Sequence, residues 1–130
     1  MGDSMSATIL INGITSIIKA LSSKLIGPNT SREDREAISK CIVSIQKATI
    51  RTQAFINEQG YRPNLELTEL WQDALEKSIN AKVEDVPQYL FYKAQFWSEP
   101  DVWLDEPSSL ELVPKLQYLR NECEVMMNNL

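Results

Sequence analysis

The chain has 130 residues, a net charge of −5 and no histidine. This length suits one domain with a single hydrophobic core, and an apolar fraction of 43% with only four glycines is typical of a folded globular protein. Without histidine, the sequence excludes hydrolases with a catalytic histidine, His-ligated zinc or iron, and imidazole-based proton shuttles.

Neither a membrane span nor a secretory leader is visible in the sequence. No apolar segment approaches the roughly eighteen residues that a spanning helix needs, and the N-terminal region lacks a basic start and a small-residue cleavage site. We expect residues 1–5 to lie outside the folded domain, as a disordered or cloning-derived start. Cys41 and Cys123 both fall on apolar helical faces, which predicts buried free thiols in a reducing cytoplasm, with a disulfide between them as the alternative.

Helix one is predicted over about Ser6 to Ile26, where apolar residues recur at steps of three and four. The Gly27-Pro28-Asn29 turn ends it. The residues of its apolar face are Leu10, Ile14, Ile17, Ile18, Leu21 and Leu25.

Helix two is predicted from Thr30 to Gly60, and its length of roughly thirty residues far exceeds the average of about eleven or twelve. Thr30 and Glu33 have the spacing of a capping box, and Gly60 is typical of a left-handed C-cap. The buried face is predicted to consist of Ile38, Cys41, Ile42, Ile45, Ala48, Thr49, Thr52, Phe55 and Ile56. A weaker apolar row, Val43, Ile50 and Ala54, predicts contacts on a second side of the helix or with a second protomer.

Three further helices follow. Asn64 is the predicted N-cap of helix three, about Leu65 to Asn80, with Leu67, Leu70, Trp71, Ala74 and Leu75 inward. Asp85 is the predicted cap of helix four, which carries Pro87 in its first turn and runs to about Ser98. Helix five is predicted to begin near Ser108 or at Pro114 and to run toward Asn129, with Leu112, Leu116, Leu119, Cys123 and Met126 inward. The predicted fold is all-α: one antiparallel bundle of about five helices around a long central second helix, over residues 1–130.

Four carboxylates on helix three, Glu66, Glu69, Asp73 and Glu76, have the helical spacing found in magnesium-dependent nucleotide pyrophosphatases, and Glu33 and Glu36 are candidate partners. At 100° per residue, however, the four carboxylates centre about 150° from the apolar face of their helix. The doubled glutamates with a third at fixed spacing, typical of that family, are also absent. We therefore expect this acidic row to face solvent, with the metal-dependent enzyme as the alternative.

Charge is distributed unevenly between the two halves of the chain. Residues 1–60 carry seven cations and five acids, whereas residues 61–130 carry six cations and thirteen acids, a net charge of −7. Lys40, Lys47 and Arg51 align on helix two, but Glu36 and Glu58 continue the same row. This distribution disfavours nucleic acid and anionic membranes as partners and favours a basic protein surface.

Aromatic residues are concentrated between residues 89 and 103. These six residues are Tyr89, Phe91, Tyr92, Phe96, Trp97 and Trp103. One interpretation is structural, with Trp97 and Trp103 holding the Glu99-Pro100 turn against the core. The other is that part of the group forms a binding surface, since Tyr and Trp are the usual anchors of interfaces. On helix four Phe91 and Tyr92 point away from the apolar face, which makes them the predicted exposed anchors.

Two segments, Leu70-Trp71-Gln72-Asp73-Ala74 and the run from Lys93 to Trp103, resemble small helical modules of bacterial and archaeal proteins of unknown function, some of them adaptor-like. The resemblance covers roughly the middle half of the chain and rests on packing residues. It implies a helical bundle and no catalytic role.

Together these features predict a cytoplasmic, non-catalytic protein-interaction module of the adaptor, immunity or regulatory type, without cofactor, metal site, nucleic acid or membrane. The expected partner is a protein, basic in charge, or a second copy of the chain. The predicted partner-binding residues are Tyr61, Arg62, Phe91, Tyr92, Glu99, Asp101 and Trp103, with Asp105 and Glu106 in the same acidic loop.

Overall fold

The computed structural model describes residues 15–25, 31–83, 86–100 and 112–128, with side chains from residue 116 onward in the last segment. These ranges include five helices and contain no strand. The first helix, α1, covers residues 15–25, and the others are α2 (Arg32–Gln59), α3 (Leu65–Asn80), α4 (Val86–Ser98) and α5 (Leu112–Asn128). The predicted all-α bundle is confirmed.

The ends of α2 differ in detail from the sequence prediction. The N-cap is Ser31, whose hydroxyl accepts a hydrogen bond from the Asp34 amide at 3.1 Å, so the prediction of Thr30 with Glu33 was wrong by one residue. Thr30 and Ser31 both have a hydroxyl that can cap a helix, and sequence preference alone does not separate them. At the other end Gly60 has φ 72° and ψ −150°, and its amide donates to the Ile56 carbonyl at 2.9 Å.

The apolar face of α2 is part of the core. Ile38, Cys41, Ile42, Ile45 and Ala48 have no exposed surface, and α2 contacts both α3 and α5. The predicted buried face is confirmed, with Phe55 and Ile56 half-buried at its C-terminal end. In the second apolar row, Val43 is 48% exposed and Ile50 is 37% exposed. No helix within the described residues therefore covers this row.

A buried hydrogen bond joins α2 to α3. Trp71 is fully buried, and its indole Nε1 donates to the Thr52 hydroxyl at 3.0 Å. Since an indole N–H in the core needs a partner, this bond fixes the position of the largest side chain in the core and sets the rotation of α3 against α2.

The start of α3 is attached to the end of α4. Asn64 caps α3 as predicted, with its side-chain oxygen accepting from the Leu67 amide at 2.9 Å. Its own amide donates to the Trp97 carbonyl at 2.9 Å, and the Thr68 and Ser98 hydroxyls lie 3.3 Å apart. The two helices therefore have a fixed relative position at this end.

The end of α3 is a Schellman motif with an unusual residue. The Val83 amide donates to the Ser78 carbonyl at 3.4 Å, and the Lys82 amide donates to the Ile79 carbonyl at 3.0 Å. These two bonds are the paired pattern of that motif. Lys82 has φ 56°, the left-handed conformation that glycine usually occupies there. For a residue with a Cβ this conformation costs about 1–2 kcal/mol.

The last helix begins between the two predicted starting points. α5 starts at Leu112, so Pro114 lies in the first turn, where a missing amide removes no intrahelical bond. Leu116, Leu119, Cys123 and Met126 are buried as predicted, and both cysteines are free thiols. Asp85 and Ser108 lie outside the described residues. No helix in the described ranges has the length and apolar character to cross a membrane.

Candidate functional site

One face of α4 is embedded in the core. Val86, Leu90, Ala94 and Trp97 are at most 3% exposed, as the sequence predicted, and Phe96 beside them is 3% exposed. Phe96 and Trp97 meet edge to face with ring centroids 4.9 Å apart, and Phe55 of α2 packs on Trp97 at 5.7 Å. This half of the aromatic group is therefore part of the core, and the predicted clamp of Trp97 with Trp103 on the Glu99-Pro100 turn stays a prediction, because Trp103 lies outside the described residues.

The opposite side of α4 presents Phe91 to solvent. Phe91 is 46% exposed, and its ring lies 6.1 Å from that of Tyr92, which is half-buried and packs partly against the core. The amide nitrogen of the Gln88 side chain is 3.4 Å from the Tyr92 hydroxyl. Phe91 thus lies where the prediction placed it, whereas Tyr92 is only its half-buried neighbour.

Tyr61 packs against the buried aromatic residues of α4. The Tyr61 ring stacks on Trp97 at 6.2 Å and meets Phe96 edge to face at 6.0 Å, and partial burial raises the pKa of its hydroxyl above 10.0. Its ring contacts are thus with the buried aromatic residues, Tyr61 itself is half-buried, and its role in partner binding stays a prediction. Arg62, next in the loop, is exposed, as is Glu99 after α4.

Two of the predicted partner-binding residues, Asp101 and Trp103, lie outside the described residues, as do Asp105 and Glu106. The part of the predicted surface that the structure brings together is therefore Phe91 with Tyr92. We call this pair the α4 surface.

The acidic row of α3 faces solvent, as its position on the helix predicted. Glu66, Glu69, Asp73 and Glu76 are all exposed. Two of these acids lie beside cations: Glu66 is 3.6 Å from Arg51 of α2, and Asp73 is 3.3 Å from Lys77. Exposed pairs of this kind contribute about 1 kcal/mol or less.

The acids of α2 are likewise placed beside positive charges. Glu33 and Glu36 line a groove of about 200 Å³ together with Lys40 and Lys77. Among the described residues no group of three or more potential metal ligands is positioned to hold one ion. The arrangement places Lys40 of α2 and Lys77 of α3 beside the acids of α2.

Sequence reasoning missed the most unusual side chain of the described residues, the buried lysine of α4. Lys93 is 4% exposed, and its ammonium nitrogen lies 5.5 Å from the centre of the Trp71 ring. The pattern contained a signal for it: Lys93 follows Leu90 by three residues and precedes Trp97 by four, a spacing that places it on the buried face.

Lys93 lines a small cavity together with residues from α2 and α5. The cavity has a volume of about 10 Å³, which leaves room for about one water molecule. Burial lowers the pKa of the Lys93 amine to about 7, because water no longer solvates its charged form. The cavity is too small to hold an organic substrate beside Lys93, and an amine buried in this way lowers stability at neutral pH.

Comparison of the chain with family models, with curated protein sequences and with solved structures found no match.

Proposed function

We propose that the protein is a non-catalytic interaction module that binds a protein partner through the α4 surface. The observation that carries this proposal is the 46% exposure of Phe91, on a helix whose other aromatic side chains pack wholly or partly against the core. An exposed aromatic side chain on a rigid helix provides contact area with little loss of side-chain entropy, which is the property of interface anchors.

Charge indicates the kind of partner. The chain has a net charge of −5, and its second half, which includes α4, has −7. Glu99 is exposed directly after α4, and the acidic residues that follow it in the sequence extend the same charge. A basic protein surface would be attracted by this field, and the attraction would increase its association rate at low ionic strength. We place this function in the cytoplasm, where the two thiols stay reduced.

The experiment is a pull-down with the purified chain as bait, followed by affinity measurement for each captured protein. Phe91→Ala is expected to weaken binding of the true partner at least tenfold, since truncation of an interface anchor costs more than about 1.4 kcal/mol. Higher salt is expected to slow its association. Phe91 is exposed, so this substitution leaves the core intact.

Ile79→Ala is the matched control, because Ile79 is 58% exposed on α3. A captured protein that binds wild type, Phe91→Ala and Ile79→Ala equally would contradict the proposed surface.

A second copy of the chain is the other possible occupant, and Val43 and Ile50 of α2 are the residues available for that contact. Sedimentation at several concentrations measures self-association directly. A dimer that Val43→Asp abolishes and Phe91→Ala leaves intact would move the binding surface to α2 and overturn the proposal for α4.

A further inference from the structure

A groove of about 540 Å³ lies beside α4, on the side away from Phe91, where α1 meets the connection between α3 and α4. Its volume is within the range of about 300–1,000 Å³ that is usual for small-molecule sites. The polar side chains that line it come from three elements: Ser16, Lys19, Ser23 and Lys24 from α1, Lys82 from the connection, and Tyr89 from α4.

The charge of this groove is opposite to that of the protein. Three of its described lining residues are lysines and none is acidic, although the whole chain has a net charge of −5. Lys19 and Lys82 are exposed and take part in no ion pair among the described residues. Lys19 and Lys82 place two like charges beside one groove, and a bound anion would reduce their repulsion.

The hydroxyl groups of Ser16, Ser23 and Tyr89 add hydrogen-bond donors to the same groove. Lysine ammonium groups and hydroxyls are the side chains that commonly hold phosphate oxygens. The ammonium groups of Lys19 and Lys82 match the charge of a ligand with −2 better than the charge of a single carboxylate.

The backbone of Lys82 provides an independent observation. Lys82 occupies the left-handed position of the Schellman motif at φ 56°, where glycine would fit without strain. Residues held in such conformations are concentrated at functional sites. Here the strained residue also brings one of the ammonium groups to the groove.

We infer that this groove binds a small molecule that carries phosphate groups. The lysines hold the phosphate oxygens, and the hydroxyls of α1 and of Tyr89 donate to them. The site is separate from the α4 surface, since Phe91 follows Tyr89 by two residues and two residues turn a helix by about 200°.

The test is calorimetric titration of the full chain with inorganic pyrophosphate and with a nucleoside diphosphate. We expect saturable binding with one ligand per chain, weakened by added sodium chloride. Lys82→Gly is the informative variant: it removes the cation and relieves the backbone strain, so it should bind at least tenfold more weakly while its thermal midpoint stays equal or rises.

Lys47→Ala is the matched control, because Lys47 is an exposed lysine on α2 outside the groove, and its loss changes the net charge by the same amount. It should leave the affinity unchanged, whereas Lys19→Ala should weaken binding as Lys82→Gly does. Absence of saturable binding by both probes at millimolar concentration would overturn the inference. Equal weakening by Lys47→Ala and Lys82→Gly would also overturn it, since binding would then depend only on net charge.

Discussion

The amine of Lys93 is the one polar group of α4 that the fold places at the centre of the buried face. No ion pair among the described residues involves it, and its nitrogen lies over the Trp71 ring, 5.5 Å from the ring centre. In the folded state this amine loses its proton at about pH 7, whereas in the unfolded chain it holds the proton up to about 10.5. When the chain folds at a pH between these two values, Lys93 therefore releases a proton.

Linkage between folding and proton binding gives the first prediction, at the residue scale. Between pH 7 and 9 the unfolded state binds more protons at Lys93 than the folded state, so the free energy of unfolding should rise by about 2 kcal/mol. Above pH 9 it should fall again, because burial raises the pKa of Cys41 and Cys123 from 9.0 to about 12 and only the unfolded chain ionises them. Above pH 10 the raised pKa of Tyr61 acts in the same direction. Urea denaturation across this range should show maximum stability near pH 9.

Lys93→Met tests the assignment of this pH dependence. Methionine has a similar length and no charge, so the variant should be more stable than wild type at pH 7, by about 1 kcal/mol or more. It should also lose the rise toward pH 9. Lys47→Met, which changes an exposed lysine, should keep that rise, and a Lys93→Met variant that keeps it as well would refute the assignment.

At this scale the sequence predicted burial well for apolar residues and poorly for amphipathic ones. Phe91 is exposed because it lies on the opposite side of α4 from Leu90 and Trp97, and helical periodicity alone shows this. Periodicity also placed Lys93 inward, but the general preference of lysine for the surface argues against that position. The half-buried position of Tyr61 depends on the path of a loop, for which the sequence has no periodic signal.

At the scale of the helix, the N-cap of α2 gives the second prediction. Ser31→Ala should lower the free energy of unfolding by about 1 kcal/mol, because the Asp34 amide loses its acceptor. Thr30→Ala is the matched control and should change stability by less than half as much. Thermal and urea denaturation of both variants measure the difference, and the reverse order of effects would restore Thr30 as the cap.

The C-terminal end of α2 gives the third prediction. Gly60 combines φ 72° with ψ −150°, a region that is essentially restricted to glycine. Gly60→Ala should therefore destabilise the protein by about 1–3 kcal/mol. No atom lies within 4 Å of the position that the new Cβ would take, so the cost comes from the backbone conformation and not from a clash. Gln59→Ala, at the adjacent exposed position, should be close to neutral in the same urea titration, and equal effects would contradict this explanation.

Helix ends were predictable where one residue carries the signal. Asn64 is the single good capping residue before Leu65, and Gly60 is the single glycine in its region, so both positions were identified correctly. Two adjacent capping residues made the start of α2 ambiguous. The Schellman motif after α3 was not predicted, because its usual marker is glycine and this chain has Lys82 there.

At the scale of the whole molecule, Cys41 lies on α2 and Cys123 on α5, so the reactivity of their thiols measures whether these two helices stay packed. Cys41 and Cys123 have no exposed surface, and the pKa of each thiol is raised to about 12 by burial. The thiolate is the reactive form of cysteine, so the fourth prediction is that neither thiol reacts with a disulfide reagent at pH 8 in the native protein. Both should react in denaturant, at midpoints that match the loss of helical circular dichroism.

Ala54→Cys provides the comparison, since Ala54 is exposed on α2 and its thiol should react at once. Native-state labelling of Cys41 or Cys123 at the rate of that exposed thiol would show that α5 opens away from α2 without global unfolding.

The bond between the Ser22 hydroxyl and the Met126 sulfur, 3.5 Å long, joins residues that are 104 positions apart. In contrast, the Trp71–Thr52 bond closes a separation of only 19 positions, and the Thr68–Ser98 contact one of 30. During synthesis on the ribosome, α2, α3 and α4 can therefore pack as soon as they emerge. Ile17 and Leu21 of the first helix emerge before all of them, yet α1 completes its packing only after the last helix has been translated.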